Sequence, residues 1–289
     1  MYTMDQKPQS ETPKPRKRHP LEKPLRRLPQ PPRETPSPEK TPPANRGVLH
    51  LPVVPATLTR WLIIINTTIF ALGFLSPSLN NSLWQFGWSY APAILQGGEF
   101  HRLFTAMFLH GDVAHIFVNM YSLYILGNTV ERVFGHMRFA LVYFGGGLAG
   151  SVLSVLLGDW FTPSLGASGA IFALLGAEIV YLYQNRKLMG ERAKSRRNYL
   201  IFLAVLNLGL GFASTRIDNF GHIGGLLGGL VLGWLLSPVY LLRSHPDYAE
   251  EEKHIIAEDI NNIDGRIVGL SLYTTAVLGL LLIGVYLAR

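Results

Sequence analysis

Seven apolar runs, at about 59–77, 113–133, 137–158, 165–184, 198–214, 220–242 and 267–287, dominate the chain from residue 58 onward. Each approaches the ~20 residues that carry a helix across a bilayer, the fifth being short. Hydrocarbon offers backbone groups no partners, so spans of this length must be helices that satisfy their own N–H and C=O groups. The expected fold class is an all-α polytopic membrane protein.

The sequence before the first run is of another kind. Residues 1–50 hold eleven Lys/Arg against five Asp/Glu, with runs such as Lys14-Pro15-Arg16-Lys17-Arg18 and no apolar period. Too little apolar surface is available there to offset the entropy of ordering, so 1–57 is expected to be a disordered, basic, Pro-rich tail. Its charge invites a nucleic-acid partner, but no binding module accompanies it. Lys and Arg before a first span instead hold that end in the cytoplasm. No signal-peptide pattern is evident. Without cysteine, disulfides and thiolate chemistry are excluded.

Loop charge orients the spans. Arg186, Lys187, Arg192, Lys194, Arg196 and Arg197 follow the fourth run, whereas Arg216 alone follows the fifth. The positive-inside rule then predicts a cytoplasmic N-terminus and an extracytoplasmic C-terminus. With that alternation the second, fourth and sixth spans all run inward. His115 and Asn119, Ser168, and His222 each fall within their opening turns, within roughly 10 Å of the outer helix ends. Three distant segments thus bring reactive side chains to one depth, where polar residues are costly and a functional site is the default reading. Gly221, Gly225 and Gly229 on one span and Gly169, Ala173 and Ala177 on another form small-xxx-small faces, which let helices approach closely. Packing of these two faces is expected to bring Ser168 within hydrogen-bond reach of His222.

The residue types point to nucleophilic acyl transfer. A serine hydroxyl needs a base to take its proton, and His222 has the matching depth. His115 and Asn119 share a helical face and can donate to an oxyanion. Asp112 is placed to cap that helix. Serine in a glycine-rich span also serves packing, so Ser168 alone would be uninformative. Zinc is disfavoured by the absence of cysteine and of any His-Glu-x-x-His, so no metal and no cofactor are expected. Gly166-Ala167-Ser168-Gly169-Ala170 is a poor nucleophile elbow, lacking the fifth glycine and a strand–helix context.

The set His110-x4-His115-x3-Asn119, Gly166-Ala167-Ser168-Gly169 and Gly221-His222-Ile223-Gly224-Gly225 resembles the rhomboid family of intramembrane serine proteases over about residues 58–242. The resemblance implies a six-helix bundle as catalytic core (58–242), here followed by a cytoplasmic linker (243–266) and a seventh transmembrane helix (267–289). It implies Ser168 as nucleophile, His222 as base, and His115 and Asn119 as oxyanion donors beside the Ser168 N–H. His110, Gly166 and Phe172 would support them; Phe172 stands where the family commonly has a tyrosine packed on the catalytic histidine. In the first outer loop, His101-Arg102 stands for the family's Trp-Arg pair, so the tryptophan does not carry over. That loop also bears Trp84, Phe86, Trp88 and Tyr90, residues suited to a membrane interface. The implied function is hydrolysis of peptide bonds in or near transmembrane segments of single-span or polytopic membrane proteins, with the lipid bilayer as the other partner and a bacterial plasma membrane as the expected location. The alternative is a non-proteolytic rhomboid-like protein that binds transmembrane helices for quality control. A transporter would call for inverted repeats, and none is evident.

Overall fold

The computed structural model describes residues 52–214, 217–244 and 255–289. The expected tail lies outside them up to residue 51, as does Arg216. In chain order the elements are α1 (Thr57–Leu75), α2 (Pro77–Gly87), α3 (Ala91–Leu95), α4 (Arg102–Thr105), a 3-10 turn (Ala106–Phe108), α5 (Val113–Phe134), α6 (His136–Leu157), α7 (Ser168–Gln184), α8 (Arg186–Phe212), α9 (Asn219–Leu236), β1 (Tyr240–Ser244), β2 (Ile255–Asp259) and α10 (Ile267–Leu287).

Helices occupy all seven apolar runs. By length and composition α1, α6, α9 and the stretch Asp264–Leu287 can cross a membrane, and α5 joins them as part of a pair bent by 93° against Arg102–Phe108. The other two depart from full spans for separate reasons. Among the 17 residues of α7, twelve are buried, so protein surrounds this helix and it need not match the bilayer thickness. The first twelve residues of α8 carry six Lys/Arg, and Gly190 (φ 61°, ψ −144°) breaks it within that charged part. Only the remainder, from about residue 198, is apolar.

Glycine sets the packing of the centre. A Cβ on Gly225 would collide with the backbone of Gly169, one on Gly229 with Ala173, and one on Gly233 would lie 2.7 Å from the Ala177 Cα. The facing sets Gly225-Gly229-Gly233 and Gly169-Ala173-Ala177 therefore bring α9 and α7 into backbone contact, side by side and parallel, in the manner of small-xxx-small faces. On the other side of both, a Cβ on Gly150 of α6 would lie 2.6 Å from the Gly221 carbonyl and 3.5 Å from the Gly169 Cα. The C-terminal end of α6 thus meets the N-terminal ends of α7 and α9.

Polar groups finish the far end. No side chain of its own segment caps α1; instead the fully buried Glu131 carboxylate of α5 accepts the Leu58 and Thr59 N–H groups, each at 2.7 Å, and contacts His136 Nδ1. A carboxylate at a helix N-terminus both fills orphan donors and opposes the helix dipole. The expected linker 243–266 proves partly structured. Its second strand pairs antiparallel with β1, Tyr240 opposite Asp259, and Arg138 of α6 holds the hairpin by Asp259 Oδ2 and the Asn261 carbonyl, both at 2.6 Å. The last helix lies on this core, with Tyr273 Oη donating to the Gly145 carbonyl at 2.9 Å.

Candidate active site

The site is assembled from the first turns of α5, α7 and α9. Asp112 caps α5, its Oδ1 accepting the His115 N–H at 2.8 Å, the expected capping role. That places His115 one turn in. Its Nδ1 accepts from the Gly111 N–H at 3.4 Å, which leaves the proton of a neutral ring on Nε2. Nε2 points at the turn before Ser168, since a Cβ on Gly166 would lie only 2.7 Å from it. Gly166 itself has φ +125°, a conformation open to glycine. The turn needs glycine twice, for its backbone and for the imidazole beside it.

Helix α7 then begins at Ser168 without a side-chain cap, so its first N–H groups have no partner within the helix. Asn119, one turn below His115, is buried and donates one amide hydrogen to the His115 carbonyl at 2.9 Å, keeping a second. On α9, the His222 ring stacks on Phe172 with centroids 4.3 Å apart and planes 12° from parallel. Ser168, His222, His115 and Asn119 all line one cavity of about 810 Å³. No hydrogen bond joins Ser168 Oγ to the His222 imidazole in this state. The hydrogen bond expected from the packing of α7 and α9 is thus not formed, although both residues line the same cavity.

The remaining sequence candidates fall around this core. His110 is buried behind His115, their rings edge to face at 5.1 Å, and it does not line the cavity. Arg102 is buried at the start of α4, paired with Glu99 at 2.6 Å and reaching the Trp88 carbonyl at 3.3 Å. His101 Nε2 meets the Phe86 carbonyl at 3.0 Å and so ties this segment to the end of α2. Among the described residues, no group of three or more His, Asp or Glu is arranged to hold a metal ion. Among the cavity residues that escaped the sequence reading are Asp218 and Ser164, whose side chains bond to each other. Asp218 directly before an apolar helical run was a legible N-cap signal; its partner 54 residues away was not.

Residues 97–239 match the profile of the Rhomboid domain, a stretch that contains every one of these site residues. The chain belongs to the rhomboid family. It is 42% identical to Rhomboid protease GluP of Bacillus subtilis (strain 168) over 137 residues, 47% of this chain and 26% of that protein. It is 38% identical to RHOMBOID-like protein 6, mitochondrial, of Arabidopsis thaliana over 163 residues, 56% of this chain and 52% of that one. RHOMBOID-like protein 9, chloroplastic, from the same plant is 31% identical over 199 residues, 66% of this chain and 44% of that one. The chain thus spans about a quarter to a half of the length of these relatives. Helix α10 and the whole of α1, α2 and α3 lie outside the rhomboid match, although α10 is hydrogen-bonded to the rhomboid core through Tyr273.

Proposed function

We propose that this integral membrane protein is an intramembrane serine endopeptidase that cleaves peptide bonds in or near transmembrane segments of other membrane proteins. The observation carrying this reading is the meeting of Ser168, His222, His115 and Asn119 in one cavity. In the proposed mechanism His222 takes the Ser168 proton as Oγ attacks the scissile carbonyl, then passes it to the leaving amine. Phe172 stacking holds the imidazole plane, leaving rotation within that plane for the approach to Oγ. The tetrahedral oxyanion is received by the Ser168 N–H, His115 Nε2–H and the free Asn119 amide hydrogen, donors fixed before reaction and therefore costing no reorganisation. A helical substrate must unwind locally, because its carbonyls are otherwise paired, so small or helix-breaking residues near the scissile bond favour cleavage.

The proposed placement is the plasma membrane of a bacterium, with the tail inside and the site opening near the outer face, following the charge asymmetry of the loops. The test is turnover of single-span substrates by the detergent-purified protein beside Ser168→Ala. Wild-type cleavage with none by a folded Ser168→Ala protein is expected, and a fluorophosphonate should label Ser168. Substantial turnover by the variant would remove the serine mechanism. Binding of substrate helices without cleavage by the wild type would favour the quality-control alternative.

A further inference from the structure

The proposed chemistry uses neither Asp218 nor Ser164, yet the two residues occupy matching places. Asp218 stands four residues before His222, and Ser164 four before Ser168. Asp218 Oδ1 accepts the Gly221 N–H at 2.8 Å and so caps α9, while Oδ2 accepts the Ser164 hydroxyl at 2.5 Å. The Ser164 backbone in turn exchanges two hydrogen bonds with Ser89, at 2.8 and 2.9 Å. One carboxylate therefore ties the start of the helix that bears His222 to the lead-in of the helix that bears Ser168, and through it to the loop between α2 and α3.

We infer that the Asp218–Ser164 contact is a positioning device that sets the approach of Ser168 to His222, an inference that rests on the serine-protease reading of the cavity. The two helices are otherwise joined by glycine and alanine faces, whose contacts are non-directional. Such faces fix distance well but resist sliding and rotation weakly. The lead-in to Ser168 also contains Gly166, whose backbone is intrinsically permissive. Directional restraints on that segment come from the Gly166 N–H bond to the Ala106 carbonyl at 2.9 Å, the Ser89 pairing and the Asp218 contact. Of these, only the Asp218 contact refers the nucleophile turn to the base-bearing helix. A charge-assisted bond in a half-buried setting is short and directional enough for that purpose.

Ser164→Ala isolates the effect, since Asp218 Oδ1 can still cap α9 while the link is lost. The experiment compares full-length wild type, Ser164→Ala and Ser164→Thr for kcat and KM on a single-span substrate and for the rate of fluorophosphonate labelling at Ser168. Misplacement of reacting groups on the ångström scale can cost about a hundredfold in rate, so Ser164→Ala should lower kcat and the labelling rate by roughly ten- to a hundredfold with KM unchanged. Ser164→Thr, which keeps a hydroxyl, should restore most of both. The inference is overturned by wild-type kcat in Ser164→Ala, by equal losses in the alanine and threonine variants, or by a raised KM with kcat intact, which would make Ser164 a substrate contact. A wild type that neither cleaves nor labels would instead remove the protease reading, and this inference with it.

Discussion

Helices α7 and α8 are neighbours in sequence and opposites in construction. Twelve of the 17 residues of α7 are buried, and its small face lies against the backbone of α9. In the apolar part of α8, Ile201, Phe202, Val205, Leu206, Leu210 and Phe212 are exposed, and only Leu200, Ala204 and Gly211 are buried. The polar ties of α8 include Arg186 Nη1 to the Tyr183 carbonyl at 2.8 Å, the bidentate contact of Arg196 with the buried Glu178 of α7, and Asn219 Nδ2 to the Leu208 carbonyl at 3.2 Å. Ser168, the proposed nucleophile, thus sits on an element locked by shape, and the cavity has along one side an element held mainly by its ends. Asn207, Gly211 and Phe212 of α8 line that cavity. Under the proposed function, chemistry would use the fixed wall and entry of a substrate segment the less packed one.

The contrast can be broken most severely at Gly229. A Val side chain there would drive Cβ into the Ala173 backbone, which cannot rotate away. Gly229→Val should cost about 3 kcal/mol, the upper end of the usual range for overpacking. Thermal unfolding in detergent should register this as a large fall in Tm or a loss of folded protein; a wild-type Tm would contradict the close apposition of α7 and α9.

Asn119, which lines the cavity from α5, tests the proposed oxyanion site itself. Removal of one oxyanion donor typically costs roughly 2.7–4 kcal/mol in the barrier, so Asn119→Ala should lower kcat by about two to three orders of magnitude with KM little changed. A lower Tm with nearly normal kcat would assign Asn119 to structure, in keeping with its bond to the His115 carbonyl. The smallest expected effect is on the yielding wall. Nothing lies within 4 Å of a Cβ placed on Gly209 of α8, so Gly209→Ala should be neutral or stabilising by about 0.5–1 kcal/mol through helix propensity alone. A marked destabilisation would show α8 to be packed as tightly as α7.

Sequence legibility followed the same division. The apolar runs, the spacing Gly169-Ala173-Ala177 and the glycines of α9 foretold both the helices and their contact, because backbone apposition demands small residues at fixed intervals. The facing register, Gly225 to Gly169 rather than Gly221, required three dimensions. Asp112 was readable as a cap because capping is local. The hairpin of β1 and β2 was not: Leu241-Leu242-Arg243 and Ile255-Ile256-Ala257-Glu258 are short, and the pairing depends on Arg138 more than a hundred residues away. The Asp218–Ser164 bond was hidden for the same reason. Nor does composition reveal that Ser168 and His222 share a cavity without a direct hydrogen bond.

The capping of α1 by Glu131 has a consequence for the order in which the molecule can be completed. Leu58 and Thr59 are emitted from the ribosome more than seventy residues before the carboxylate that takes their N–H groups. Within α1 those donors have no acceptor, so this helix leaves the synthetic machinery with an unfinished end. Its final seating waits on the delivery of α5, and a helix made before α5 is among those whose anchorage is settled late.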